Sequence, residues 1–206
     1  MNSRRVVVTG LGLISPVGNS VAEGWKNLLA GRSGIANITK FDASGFACRF
    51  AGEVKGFNVE DYFPAKEARH MDAFIHYGLA ASIQAVRDAG LATNDDLDAE
   101  EAQRIGCLVG SGIGGLPLIE DTKAELEKRG PRRITPFFVP ASIINMISGH
   151  VSIMFGFQGP NLAFVTACTT GLHSIIRPAM PIECRPVVQA VTIARFGPWK
   201  PNMIDT

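Results

Sequence analysis

The sequence contains no run of about 18 consecutive apolar residues, the length a helix needs to cross a bilayer, so no membrane span is expected. Behind the opening MNSRR no apolar stretch leads to a small-residue cleavage site, so no secretory signal is expected either, and the cytoplasm is the expected compartment. Cysteine is sparse and scattered: Cys48, Cys107, Cys168 and Cys184 form no CxxC pair and have no histidine at ligand spacing. That pattern argues against a metal site and a disulfide framework and leaves reduced thiols as the default. Charge of either sign is not in excess; a formal net of +1 gives no electrostatic footprint for nucleic acid. What the chain does have is apolar content, 46% of 206 residues, enough to bury a full core.

The apolar residues are patterned as an α/β protein. Arg4–Thr9 (RRVVVT) is a β-branched run closed by Gly10 and reads as a buried strand. Ser20-Val-Ala-Glu23 is a capping box for a helix ending near Gly31. Residues 32–63 are loop-rich, with short strand candidates around Arg49–Val54. From Lys66 to Gly90, Met71, Phe74, Ile75, Leu79, Ile83 and Val86 recur at three- and four-residue spacing, which predicts one long core-facing helix. Asn94–Glu101 is acidic and reads as a solvated connection. A second buried strand, Arg104–Gly110 (RIGCLVG), runs into Ser111-Gly-Ile-Gly-Gly115, followed by a polar helix over Ile119–Arg129. A helix over Ala141–Phe155, a turn at Gly156–Pro160 and a strand over Asn161–Thr166 lead to Cys168. Continuous rather than alternating apolar strands, interleaved with helices, predict a mostly parallel sheet covered on both faces, whose site lies at the carboxyl ends of its strands.

Cys168 stands two residues beyond one such end, in Val-Thr-Ala-Cys-Thr-Thr-Gly (VTACTTG). Small residues allow a sharp turn, and Leu172, Ile175 and Ile176 continue as the apolar stripe of a helix. A thiol at the start of a helix meets the positive end of the helix dipole, which favours the thiolate and suits a nucleophile. The same backbone N–H groups would cradle an oxyanion during attack on a thioester. Cysteine is also among the most commonly buried residues, and no general base lies nearby in sequence, so the local residues leave both readings open.

Longer blocks decide between them. RRVVVTGLGLISPVGN, RIGCLVGSGIGGL, ITPFFVPASIINMISGHVSIMFGFQGPN and VTACTTGLHSI resemble, in one collinear order from Arg4 to about Ile175, the β-ketoacyl-acyl carrier protein synthases, closest to the type II synthase. The resemblance implies the thiolase-like α/β fold, layered α-β-α-β-α from two similar halves, of which these residues supply about the N-terminal half. It implies that Cys168 is the acyl-accepting nucleophile. It implies that Ile113 gates the acyl pocket between the mobile Gly112 and Gly114, and that Phe138 lines the pocket of a neighbouring subunit. It also implies homodimerisation and an acidic acyl carrier protein as partner, for which Lys66, Arg69 and His70 on one helix face and the pair Arg132 and Arg133 are candidate contacts. Substrates would arrive on the carrier's phosphopantetheine, with no other cofactor. Gly10-Leu-Gly12 and Gly110-Ser-Gly112-Ile-Gly114 follow strands but do not complete a dinucleotide fingerprint, so no nicotinamide or flavin is expected.

The sequence also departs from that family. The two histidines and the lysine that the resemblance assigns to malonyl decarboxylation belong to a second half and have no counterpart here; His76, His150 and His173 fall on helices matching the first half and read as structural. After about Ile176, five of the twelve prolines fall in the final thirty-odd residues. Residues 1–176 are therefore read as a synthase N-terminal domain, and 177–206 as a divergent, irregular tail of the kind a frameshift or truncation leaves. The expected chemistry is that of a 3-oxoacyl-carrier protein synthase, in which these residues capture the acyl group but do not complete decarboxylative condensation alone. The alternative is a non-catalytic remnant or a partner of a full-length synthase. A degradative thiolase shares the fold but is disfavoured by the SGIGG and PFFVP blocks.

Overall fold

In the computed structural model, the described residues are 7–176 and 188–193. They divide between two units, one of residues 13–57 and one of residues 7–12 and 58–193.

The smaller unit opens with α1 (Val21–Leu29), whose Ser20 Oγ accepts the N–H of Glu23 at 3.2 Å while the Glu23 carboxylate accepts the N–H of Asn19 at 2.8 Å. The capping box thus works as its spacing predicts. Strand β1 (Ile35–Asn37) pairs antiparallel with β2 (Phe50–Gly52), Ile35 opposite Gly52, within the expected loop-rich segment. Beside this ribbon the buried Glu53 gathers the Thr39 hydroxyl at 2.7 Å and the N–H groups of Thr39 and Lys40. Burial pushes its carboxyl pKa upward, but the hydrogen bonds from Thr39 and Lys40, with the Lys40 charge, outweigh it and hold the group below its ordinary value.

The larger unit begins with α2 (Ala65–Ala68) and α3 (Ala73–Ala89). These replace the single helix predicted from Lys66: the chain breaks at 69–72, where Asp72 adopts an extended backbone. Gly90 stops α3 in the left-handed region, at φ 61°. The acidic connection is partly helical, because Asp98 accepts the N–H of Glu101 and caps α4 (Ala99–Arg104). Next come β3 (Cys107–Ser111), α5 (Leu116–Arg129), α6 (Phe138–Ser142), α7 (Met146–Phe155), β4 (Asn161–Phe164), α8 (Thr170–Ile176) and β5 (Val188–Ile193). The helix predicted over 141–155 is divided, since Ile143 leaves helical geometry at ψ 145°.

The strands form one parallel sheet in the order β4-β3-β5, with Cys107 opposite both Asn161 and Val188. Side chains alternate along β3 as strand geometry demands. Cys107 and Val109 join the core built from Phe74, Ile75, Leu79 and Ile83 of α3 and Ile147 and Val151 of α7. On the other face, a Cβ added at Gly110 would collide with the Thr170 side chain of α8. Helices therefore cover both faces of an α/β sheet, as expected.

Two expectations about the chain ends need correction. The strand predicted over Arg4–Thr9 lies partly outside the described residues, and Val7, Val8 and Thr9 are exposed and unpaired in the sheet. Both edges of β3 are taken by β4 and β5. Gly10 and Gly12 instead lie flush against α3, where added Cβ atoms would collide with the Ala85 and Ala81 carbonyls, and the Leu11 N–H donates to Asp88 at 2.8 Å. The tail predicted to be irregular contributes β5, because Val188-Gln-Ala-Val-Thr-Ile193 is rich in β-branched residues and free of proline. Residues 177–187 and 194–206 lie outside the described residues.

Candidate active site

Strand β4 delivers the chain into a tight helical turn, Ala167–Thr169, that runs directly into α8. Cys168 is at its centre and is exposed. The thiol thus precedes the α-helix by two residues rather than lying in its first turn. Ala167 has φ 49°, a left-handed conformation that costs an alanine roughly 1–2 kcal/mol and is retained where surrounding bonds over-determine it. Those bonds are present. The Thr170 hydroxyl accepts the Thr166 N–H and donates to the Ala167 carbonyl, both at 2.8 Å. The Thr169 hydroxyl donates to the Thr166 carbonyl at 2.7 Å, and Thr166 Oγ1 lies 2.7 Å from His173 Nδ1. The N–H groups of Thr169 and Thr170 are also bound, to the Thr166 and Ala167 carbonyls. This corrects one expectation: these two amides are already used by the turn and are not oxyanion donors.

Because β3 and β4 are parallel neighbours, with Gly110 opposite Phe164, the segments that follow them leave the sheet at the same end. One is the Cys168 turn and the other is the loop 111–115. In that loop Ile113 is 69% exposed, and nothing lies within 4 Å of a Cβ added at Gly112. Gly114 has φ 83°, and its added Cβ would come within 2.5 Å of the Ser142 carbonyl oxygen. An added Cβ thus has room at Gly112 but not at Gly114.

Phe138 begins α6 and is half-buried. Its neighbour Phe137, which sequence reading passed over, stacks on His70 with ring centroids 4.0 Å apart. Together with Arg69, Met71, Leu118 and Thr135, these rings line a cavity of about 290 Å³. Lys66, Arg69, Arg132 and Arg133 are all exposed. The continuous helix face predicted for Lys66, Arg69 and His70 does not form, since Arg69 is the C-cap of α2 and His70 lies beyond it.

The residues match a family described as the β-ketoacyl synthase N-terminal domain over positions 3–185. The chain belongs to the β-ketoacyl synthase family. Among curated relatives it is 59% identical over 175 residues to 3-oxoacyl-[acyl-carrier-protein] synthase 2 of Vibrio cholerae and 49% identical to the protein of that name from Coxiella burnetii. Each match covers 85% of this chain but 41% of the relative, so the chain spans about two-fifths of their length. Solved structures agree on the fold. The ishigamide ketosynthase/chain length factor superposes with a TM-score of 0.72 at 32% identity, over 84% of this chain and 42% of that one. A type II polyketide ketosynthase in complex with its acyl-carrier protein gives 0.69 at 26% identity, over 86% and 46%. The described sheet and helices are thus the N-terminal half of the thiolase-like ketosynthase fold.

Within this synthase domain the histidines have structural contacts. His76 Nε2 lies 2.9 Å from the Ala68 carbonyl and joins α3 to α2. Burial holds the pKa of half-buried His150 below its ordinary value, with Glu67 acting in the opposite direction. Among the described thiols Cys107 is the buried one, its pKa pushed up to about 12 by burial, while Cys48 and Cys168 are exposed. Sequence reading missed Thr166, Thr169 and Thr170 as the frame of the Cys168 turn. The signal was three threonines within five residues around a cysteine after a strand.

Proposed function

We propose that this synthase domain captures an acyl group on Cys168 from the phosphopantetheine thioester of an acyl carrier protein. The thiolate attacks the thioester carbonyl; the new carbon–sulfur bond forms at Cys168, the bond to the carrier sulfur breaks, and the released carrier thiolate takes a proton from solvent. The observation that carries this reading is the exposed thiol on a braced, left-handed turn beyond β4, beside the loop that follows β3. Ile113 borders the acyl chain there, and Phe138 contributes to a neighbouring subunit's pocket. Exposed Lys66, Arg69, Arg132 and Arg133 draw in the acidic carrier; a carrier protein as partner is in keeping with the solved ketosynthase complex with its own carrier.

In the complete enzyme the acyl group is then condensed with a carbanion from malonyl-carrier protein to elongate a fatty acid. The residues of this chain are assigned the acyl-capture step of that reaction. No cofactor beyond the carrier's phosphopantetheine takes part. The cytoplasm is the proposed location; among the described residues no helix is long and apolar enough to cross a membrane. Incubation with hexadecanoyl-carrier protein tests the proposal: free carrier thiol should appear in proportion to acylated chain. Release of carrier thiol without an adduct on Cys168 contradicts it.

A second reading draws on β4, an edge strand of the described sheet whose Leu162 is exposed, followed by exposed Val165. There the chain pairs with a second copy or with a full-length synthase. Co-purification with an intact synthase supports this reading, and a strictly monomeric chain opposes it.

A further inference from the structure

We infer that Asp72 is a positioning residue for the loop bearing Ile113. The inference rests on the reading above, in which Ile113 borders the acyl chain. Asp72 is 8% exposed, an expensive position for a carboxylate unless hydrogen bonds hold it. It directly precedes α3, yet its side chain does not cap that helix. Instead Oδ2 accepts the N–H of Leu118 at 3.0 Å, in the first turn of the 14-residue helix α5, where a negative charge also complements the helix dipole. The Asp72 N–H donates to the Ala141 carbonyl at 3.2 Å, and the Gly115 N–H donates to the Ser142 carbonyl at 2.8 Å. Asp72 therefore ties the start of α3 to α6 through its backbone N–H and to the first turn of α5 through its carboxylate, while the Gly115–Ser142 bond joins α5 to α6 alongside it.

Space at the loop is divided accordingly. A Cβ at Gly115 would come 2.9 Å from Ser142 Cα and 3.0 Å from Asp72 Oδ2, and Gly114 is equally confined, whereas Gly112 is open and Ile113 exposed. The carboxylate fixes the C-terminal side of the loop, so that movement is confined to Gly112 and Ile113. A gate hinged on one side and anchored on the other returns Ile113 to one place, and that place sets how long an acyl chain is accepted.

Two readouts test this on the full chain. Hydrogen exchange should rise roughly tenfold across residues 112–118 in Asp72→Ala, the loss of a charge-assisted bond, with Asp72→Asn between it and wild type and α3 residues 75–86 unchanged. The ratio of Cys168 acylation by hexadecanoyl- over hexanoyl-carrier protein, read by intact mass, should shift about threefold or more in Asp72→Ala and in Ile113→Ala; general destabilisation would lower both rates together. If Asp72→Ala does not fold, the near-isosteric Asp72→Asn carries the test. Unchanged exchange at 112–118 in the folded variants overturns the inference. A ratio that moves in Ile113→Ala but not in the Asp72 variants overturns it while leaving the gate reading intact. A ratio unmoved by Ile113→Ala, or a wild type that forms no adduct, overturns that reading instead, and exchange still decides whether Asp72 holds the loop.

Discussion

Thr166 Oγ1 lies 2.7 Å from Nδ1 of His173, so side chains on both sides of Cys168 are joined across the turn that carries its thiol. The buried member of the same frame is Thr170, whose hydroxyl both accepts and donates. Thr170→Val keeps the shape and takes away the acceptor of the Thr166 N–H, while the Ala167 carbonyl keeps its bond from the Thr170 N–H, so it should destabilise the chain by about 1–2 kcal/mol, measured by urea denaturation. His173→Ala breaks an exposed bond and should cost about 1 kcal/mol or less, while slowing alkylation of Cys168.

The described thiols should separate by accessibility. Burial raises the Cys107 thiol from its ordinary 9.0 to about 12, so it stays protonated and shielded at neutral pH. Peptide mapping after brief iodoacetamide treatment of the native chain should find Cys168 and Cys48 modified and Cys107 untouched until denaturant is added. Because the folded value is the higher one, stability from Cys107 is fully present below pH 9.0 and is lost as pH rises toward 12. Alkaline unfolding should be delayed in Cys107→Ala relative to its own neutral baseline.

Glu53 has the opposite sign. Its folded pKa is depressed below the ordinary 4.5, so its contribution is present above that pH and is lost as pH falls through the lowered value. Glu53→Gln should destabilise the unit of residues 13–57 by about 2 kcal/mol at pH 7 and flatten its acid sensitivity, followed by near-ultraviolet circular dichroism during acid titration.

Sequence alone reached much of this, for physical reasons that differ by segment. The strand Cys107–Ser111 is legible because a central parallel strand, buried on both faces, needs a continuous apolar run. The breaks at 69–72 and 143–145 are not legible, since apolar spacing passes through both without interruption and only tertiary hydrogen bonds mark them. Strand β5 is masked by the prolines preceding it. The Cys168 turn is readable as a cysteine after a strand, but the left-handed Ala167 and the Thr170 hydroxyl that steadies it are matters of three-dimensional geometry. Asp72 gives the least sign of its role, because the N–H that it holds belongs to Leu118, 46 residues away.

The central claim is that one exposed sulfur, Cys168, accepts the acyl group. Intact and peptide mass spectrometry after incubation with hexadecanoyl-carrier protein measures it directly, comparing wild type with Cys168→Ala. One acyl adduct, mapped to the peptide containing Cys168 and absent from the variant, is the expected result. An adduct of the same extent in Cys168→Ala, or none in a folded wild type, would contradict the account.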